Sequence, residues 1–176
     1  MQNPSTRAAR AFVAALPVKH VVLSPGSRSA PLALAFADRH DISLHVRIDE
    51  RSAAFLALGM AKALREPVAV VCTSGTAAVN LAPAVTEAFE DDIPLLLLTA
   101  DRPAELRGRG ANQTIDQIGI FGKHVTCFDI DAPDETTDEE GWASIARGVY
   151  EQAARRSTPI HVNLQFKEPL VPERDS

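Results

Sequence analysis

Val68-Ala69-Val70-Val71-Cys72-Thr73-Ser74-Gly75-Thr76 opens on five consecutive apolar residues and closes on a turn of small residues. A strand with one wet face alternates apolar and polar residues, whereas an unbroken apolar run fits a strand covered on both faces. Leu95-Leu96-Leu97-Leu98 has the same character, so both runs are expected at the centre of a sheet. Around them, short β-branched or leucine-rich runs at 20–23, 44–48, 125–130 and 160–164 alternate with helix-length segments at 30–39, 50–64, 76–89 and 139–156. Asn3-Pro4-Ser5 supplies a capping Asn and an early Pro for a first helix reaching Leu16. About six buried strands separated by helices predict an α/β fold, a parallel sheet with helices on both faces.

The 176 residues, 45% of them hydrophobic, suffice for one core that buries about two-thirds of the unfolded surface. Eighteen Lys and Arg against 23 Asp and Glu give a net charge of -5 with no basic stripe, which argues against a nucleic-acid partner. Residues 1–10 are polar and no apolar run is long enough to span a bilayer, so the cytoplasm is the expected compartment, with no membrane partner. Cys72 and Cys127 lie far apart, each in an apolar stretch, and read as buried, reduced thiols. The five histidines, His20, His40, His45, His124 and His161, are scattered and read as satisfied structural groups. Residues 131–140 are acidic enough for a solvated linker, and the Pro-rich, charged tail at 171–176 resembles the start of an interdomain linker after a domain at 1–170.

Open parallel sheets bind ligands beyond the carboxyl ends of their strands. Four loops are expected on that rim. Ser24-Pro25-Gly26-Ser27-Arg28-Ser29 offers free backbone N–H groups and a guanidinium for an anion, or is simply a tight turn with a Ser cap and a solvated Arg. Ser74-Gly75-Thr76 is equally open, since a Gly turn and a Thr cap explain it without a ligand. Glu50 follows a strand among Val46, Ile48, Phe55 and Leu56, an apolar setting suited to proton traffic, although first-turn glutamates also serve the helix dipole. Residues 101–117 form a long segment carrying Arg102, Arg107 and Arg109, suited to an acidic substrate or to a solvated surface. The Gly-rich dinucleotide fingerprint and the Walker-type phosphate loop are both missing, so neither NAD nor ATP is supported.

Ser24-Pro25-Gly26-Ser27-Arg28-Ser29-Ala30-Pro31-Leu32, Arg47-Ile48-Asp49-Glu50-Arg51-Ser52, Thr73-Ser74-Gly75-Thr76-Ala77, Leu98-Thr99-Ala100-Asp101-Arg102-Pro103 and Gly110-Ala111-Asn112-Gln113-Thr114 occur in this order. Together they resemble one family, the SEPHCHC synthases of menaquinone biosynthesis, from the first helix to about Leu170. The resemblance implies the pyrimidine-binding domain of a thiamine diphosphate enzyme. It implies a transferase that decarboxylates 2-oxoglutarate and adds the succinyl-semialdehyde unit to isochorismate, with Mg2+ or Mn2+ as the accompanying metal and the cofactor supplying the carbanion chemistry.

Carried over by motif, Glu50 resembles the catalytic glutamate that hydrogen-bonds the aminopyrimidine N1′. Ser27, Arg28, Arg102 and Gln113 match positions facing substrate carboxylates, and Thr73, Ser74, Gly75 and Thr76 match the turn beside the pyrimidine. Ala104 and Gln165 depart from the family pattern, which more often has Pro at both positions. The family also carries a middle domain and a diphosphate-binding domain whose Gly-Asp-Gly...Asn motif holds the metal. No such motif occurs in these 176 residues, so no metal ligand is assigned and the isolated chain is expected to be inactive. The family arrangement implies a homodimer or homotetramer. Two alternatives remain. Another thiamine diphosphate carboligase, such as an acetolactate synthase relative, would share the fold but not the Ser-Pro-Gly-Ser-Arg-Ser and Gly-Ala-Asn-Gln pair. A non-catalytic binding or regulatory module of the same fold would have no need for Glu50 or Arg28.

Overall fold

A computed structural model describes residues 3–172, so the end of the expected linker, residues 173–176, lies outside the described residues. The first helix, α1 (Pro4–Ala15), starts as its sequence dictates: the Asn3 side chain accepts the Thr6 N–H at 2.9 Å, and Pro4 occupies a position whose N–H would have no helical partner. In chain order there follow β1 (His20–Leu23), α2 (Ala30–Ala37), β2 (Ser43–Val46), α3 (Glu50–Leu64), β3 (Val68–Cys72), α4 (Thr76–Val79), α5 (Ala82–Glu90), β4 (Leu95–Asp101), β5 (Thr126–Ile130), α6 (Glu139–Arg156) and β6 (Ile160–Gln165). The expected helix at 76–89 is two helices. Pro83 has no N–H to give to the preceding turn, and Asn80 closes α4 by bonding back to Thr76 before the chain restarts at Ala82.

All six strands are parallel, in the order β2-β1-β3-β4-β6-β5. The two unbroken apolar runs, β3 and β4, are neighbours at the centre, and every residue of both is buried. One sheet face, through Val21, Leu23, Val71, Leu96, Leu98, Val162 and Leu164, packs on α1, α2 and α6. The other, through Val22, Val68, Val70, Cys72, Leu95 and Leu97, packs on α3, α4 and α5. The face that α3 buries is built from Ala53, Ala54, Ala57, Leu58 and Ala61, small enough to seat the helix close on the strands. The direction in which successive strands are laid down across the sheet reverses between β1 and β3, because β2 lies on the far side of β1 and the chain then crosses back. A reversal of this kind opens a crevice at the carboxyl ends of the two strands.

Cys72 is buried as expected, but Cys127 is only half-buried, because β5 is the edge strand. His161 is the satisfied structural histidine the sequence suggested: buried, it meets the Thr99 hydroxyl at 2.8 Å and the Cys127 thiol at 3.3 Å. His20 and His45 depart from that expectation. They stack across β1 and β2 with ring centroids 6.0 Å apart, and each keeps one buried ring nitrogen without a hydrogen-bond partner.

Candidate functional site

The β1 loop and the β3 loop close on each other at the reversal. A Cβ on Gly26 would stand 2.3 Å from Thr73 Cβ, so only glycine lets the two loops come this near. Beside this contact the Ser24 and Thr73 hydroxyls are buried and have no protein partner. Two unspent hydroxyls at the strand ends suit a polar ligand.

Arg28 is not the solvated side chain that a plain turn would give. It is 9% exposed, donates to the Phe166 carbonyl at 2.9 Å and reaches Glu168 at 3.4 Å, while its buried Nε has no partner. Ser27 is exposed, and its carbonyl accepts the Ala30 N–H at 3.1 Å. Ser29 precedes α2 without capping it, since its hydroxyl donates to the Gly26 carbonyl instead.

Glu50 is the first residue of α3, half-buried at the same sheet edge. The cap itself is Asp49, which accepts the Ser52 N–H at 2.7 Å and leaves the Glu50 carboxylate uncommitted to the helix end. Burial, reinforced by the Glu50 charge, pushes the Cys72 thiol well above its ordinary range, and this puts Glu50 within electrostatic reach of the end of β3. Three of the four apolar neighbours expected to enclose it do not do so within this chain: Ile48 is 90% exposed, and Val46 and Phe55 are also exposed, while Leu56 packs partly buried against the core.

The turn after β3 is held by the long segment that follows β4. Gly75 adopts φ +79°, a left-handed conformation that favours glycine, and Gly75, not Thr76, occupies the cap position of α4. Ser74 donates its hydroxyl to the Gln113 carbonyl at 3.1 Å, and Gln113 returns its carboxamide N–H to the Ser74 carbonyl at 3.0 Å. Arg102 donates to the Ser74 hydroxyl and, at 3.0 Å, to the Gln113 carbonyl. Burial, with the like charge of Arg28 nearby, lowers the Arg102 pKa, so two guanidiniums share one neighbourhood. Such a pair fits a ligand carrying carboxylates.

Two residues that sequence reasoning left unassigned complete the site. Gln117, fully buried, accepts the Gly75 N–H at 2.7 Å. Arg107 grips Asp129 with both terminal guanidinium nitrogens at 3.0 Å and, through one of them, buried Asp101 at 2.8 Å. Burial opposes ionisation of Asp129, yet Arg107, Asn163 and Gln165 hold its carboxyl below the ordinary range. Ala104 and Gln165 turn out to be one feature, because the Ala104 N–H that a proline would lack donates to the Gln165 side chain at 2.9 Å. Among the described residues no group of three His, Cys, Asp or Glu is placed to hold a metal ion.

The model of the thiamine pyrophosphate enzyme N-terminal TPP binding domain matches residues 6–120. The chain belongs to that family. This TPP binding domain is 52% identical over 97% of its length to a 2-succinyl-5-enolpyruvyl-6-hydroxy-3-cyclohexene-1-carboxylate synthase of Thermobifida fusca. It is 52% identical over 90% of its length to the enzyme of that name from Geobacillus kaustophilus, and 49% identical over 88% to that from Listeria innocua. The likeness to SEPHCHC synthases read from the five motifs is thus borne out along nearly the whole TPP binding domain. It spans about a third of the length of these curated relatives, 32% of the first. Its Glu50 carboxylate, its two free hydroxyls and its Gly75 turn are of a chemistry that fits the organic half of a thiamine cofactor.

Proposed function

We propose that residues 1–170 are the pyrimidine-binding domain, and 171–176 the beginning of the linker, of a SEPHCHC synthase. This cytoplasmic transferase decarboxylates 2-oxoglutarate and joins the succinyl-semialdehyde unit to isochorismate in menaquinone biosynthesis. The observation that carries the reading is the convergence of Glu50, Arg28, Arg102, Gln113 and the Ser74-Gly75-Thr76 turn on one sheet edge around the β1/β3 reversal.

Thiamine diphosphate, with Mg2+ or Mn2+ held by the diphosphate-binding domain, supplies a site that takes up the electrons freed when the 2-oxo acid loses CO2. Glu50 is the catalytic residue of this chain: its carboxylate shares a proton with the ring nitrogen N1′ of the aminopyrimidine. A carboxylate free of capping duty is suited to that exchange. Thr73, Ser74, Gly75 and Thr76 line the pyrimidine, with Gly75 permitting close approach of the backbone. Arg28 and Arg102 supply countercharge to substrate carboxylates, and Ser27 and Gln113 supply hydrogen bonds at the rim.

The exposed Ile48, Val46 and Phe55 around Glu50 support an arrangement in which the diphosphate-binding domain of another subunit covers this edge, so the working enzyme is a homodimer or homotetramer and the chain alone is inactive. The coding sequence beyond Ser176 should then specify a Gly-Asp-Gly...Asn segment. In the complete enzyme, Glu50→Gln should slow exchange of the thiazolium C2 proton about a hundredfold or more, read by proton NMR in deuterated buffer. Near-normal exchange would remove Glu50 from this role.

A further inference from the structure

We propose that Gln117 is a positioning residue that couples the turn facing the cofactor to the loop facing the substrate. This inference rests on the function proposed above.

Gln117 lies in a loop, yet its side chain is fully buried and every polar atom of its carboxamide is engaged. The oxygen accepts the Gly75 N–H at 2.7 Å, and the nitrogen donates to the Asn163 side-chain oxygen at 2.7 Å and the Ala100 carbonyl at 3.2 Å. A backbone N–H can only donate and a backbone carbonyl can only accept, so these two partners fix which end of the carboxamide points where. Asn163 is equally constrained. Its oxygen also accepts from Thr99 at 3.0 Å, while its nitrogen donates to Asp101 at 2.9 Å and Asp129 at 2.7 Å. Gln117 is therefore moored to the interior of β4 and β6, through groups that cannot turn without breaking several buried bonds.

From that mooring it acts in two directions. Toward β3 it satisfies the N–H of a buried glycine held at φ +79°, fixing the turn proposed to meet the pyrimidine. Toward its own loop it sets the position of Gln113, four residues earlier and itself left-handed at φ +53°. Ser74, Gln113 and Arg102 then close a ring of hydrogen bonds between the two segments. Gln113 and Arg102 are proposed to touch substrate. Gln117 acts only through them and through Gly75, so removing its hydrogen bonds should loosen both segments together.

The test is hydrogen exchange, followed by mass spectrometry and NMR, on the full-length protein and its Gln117→Met variant, which keeps the side-chain length and loses the polar contacts. Exchange of the Gly75 N–H and of the Gln113 carboxamide protons, the hydrogen-bonded groups of the two segments, should rise at least tenfold in the variant, with the amides of β3 and β4 unchanged. KM for 2-oxoglutarate should rise about tenfold, and adding Arg102→Ala should cost little more. Loosening of one segment alone, or of neither, or fully additive effects on KM, would overturn the coupling. Should the variant not fold, the unsubstituted protein decides: the Gly75 N–H and the Gln117 carboxamide protons should exchange at least a hundredfold more slowly than the Gly108 N–H, and equal rates would overturn the proposal. A parent protein that fails to turn over 2-oxoglutarate with isochorismate defeats the proposed function instead, and leaves the exchange result to judge the linkage between the segments.

Discussion

His161 shows how one buried group can make the whole fold sensitive to pH. Thr99 donates its proton to Asn163, so its oxygen accepts from His161 Nε2, and His161 Nδ1 is left to accept from the Cys127 thiol. Phe121 covers the ring edge-on at 4.9 Å, and burial pulls the imidazole pKa down to about 4. The unfolded chain takes up this proton near the ordinary value of about 6.5 and the folded chain only near 4, so stability is fully present above about pH 6.5 and declines as pH falls through that window. At about pH 5 the loss should be on the order of 2 kcal/mol relative to neutral pH. Urea unfolding at both pH values, compared with His161→Gln, checks this, because the variant should lack that part of the pH dependence. An identical dependence in both proteins would show that the imidazole is not held neutral. At this scale the sequence was partly legible. Glu50, Arg28, Arg102 and Gln113 stand in motifs that can be read directly, and the structure gathers them at one edge. Gln117 and Arg107 could not be found that way, because a glutamine or arginine in a polar loop carries no periodicity and shows its role only through partners distant in sequence, such as Gly75 and Asp129.

Among the elements, α3 and α6 span the residues expected from the sequence, 50–64 and 139–156, and the structure adds that Asp49 and Asp138 cap them. The segment 101–117 was recognisable by its length, its arginines and the Gly110–Thr114 motif, but not by its internal order. Its order comes from Arg107, which lies inward between Asp101 and Asp129 even though a run of arginines and acids could equally have lain on the surface. Removing that guanidinium would leave fully buried Asp101 without its countercharge. Arg107→Met should therefore destabilise the domain by about 3 kcal/mol or more, measured by chemical unfolding. A change under about 1 kcal/mol, the range of a surface pair, would mean that the ion pairs contribute as exposed ones do.

For the whole molecule, alternation of strand and helix predicted a parallel sheet, and the unbroken apolar runs predicted which strands lie at its centre. Strand order was not legible, since nothing in a run of residues states which neighbour it will pair with. One consequence of the observed order concerns synthesis. The last strand made, β6, is seated between β4 and β5. Until residues 160–165 leave the ribosome, β5 has no strand beside it, and Thr99, Asp101 and Gln117 lack the partners that Asn163 provides. Chains arrested just short of Ile160 should stay open to protease along 101–130, and chains extended past Phe166 should resist it. Equal resistance in the two would mean that the first four strands close without the last, and that the nascent domain need not wait for its final strand to bury its polar centre.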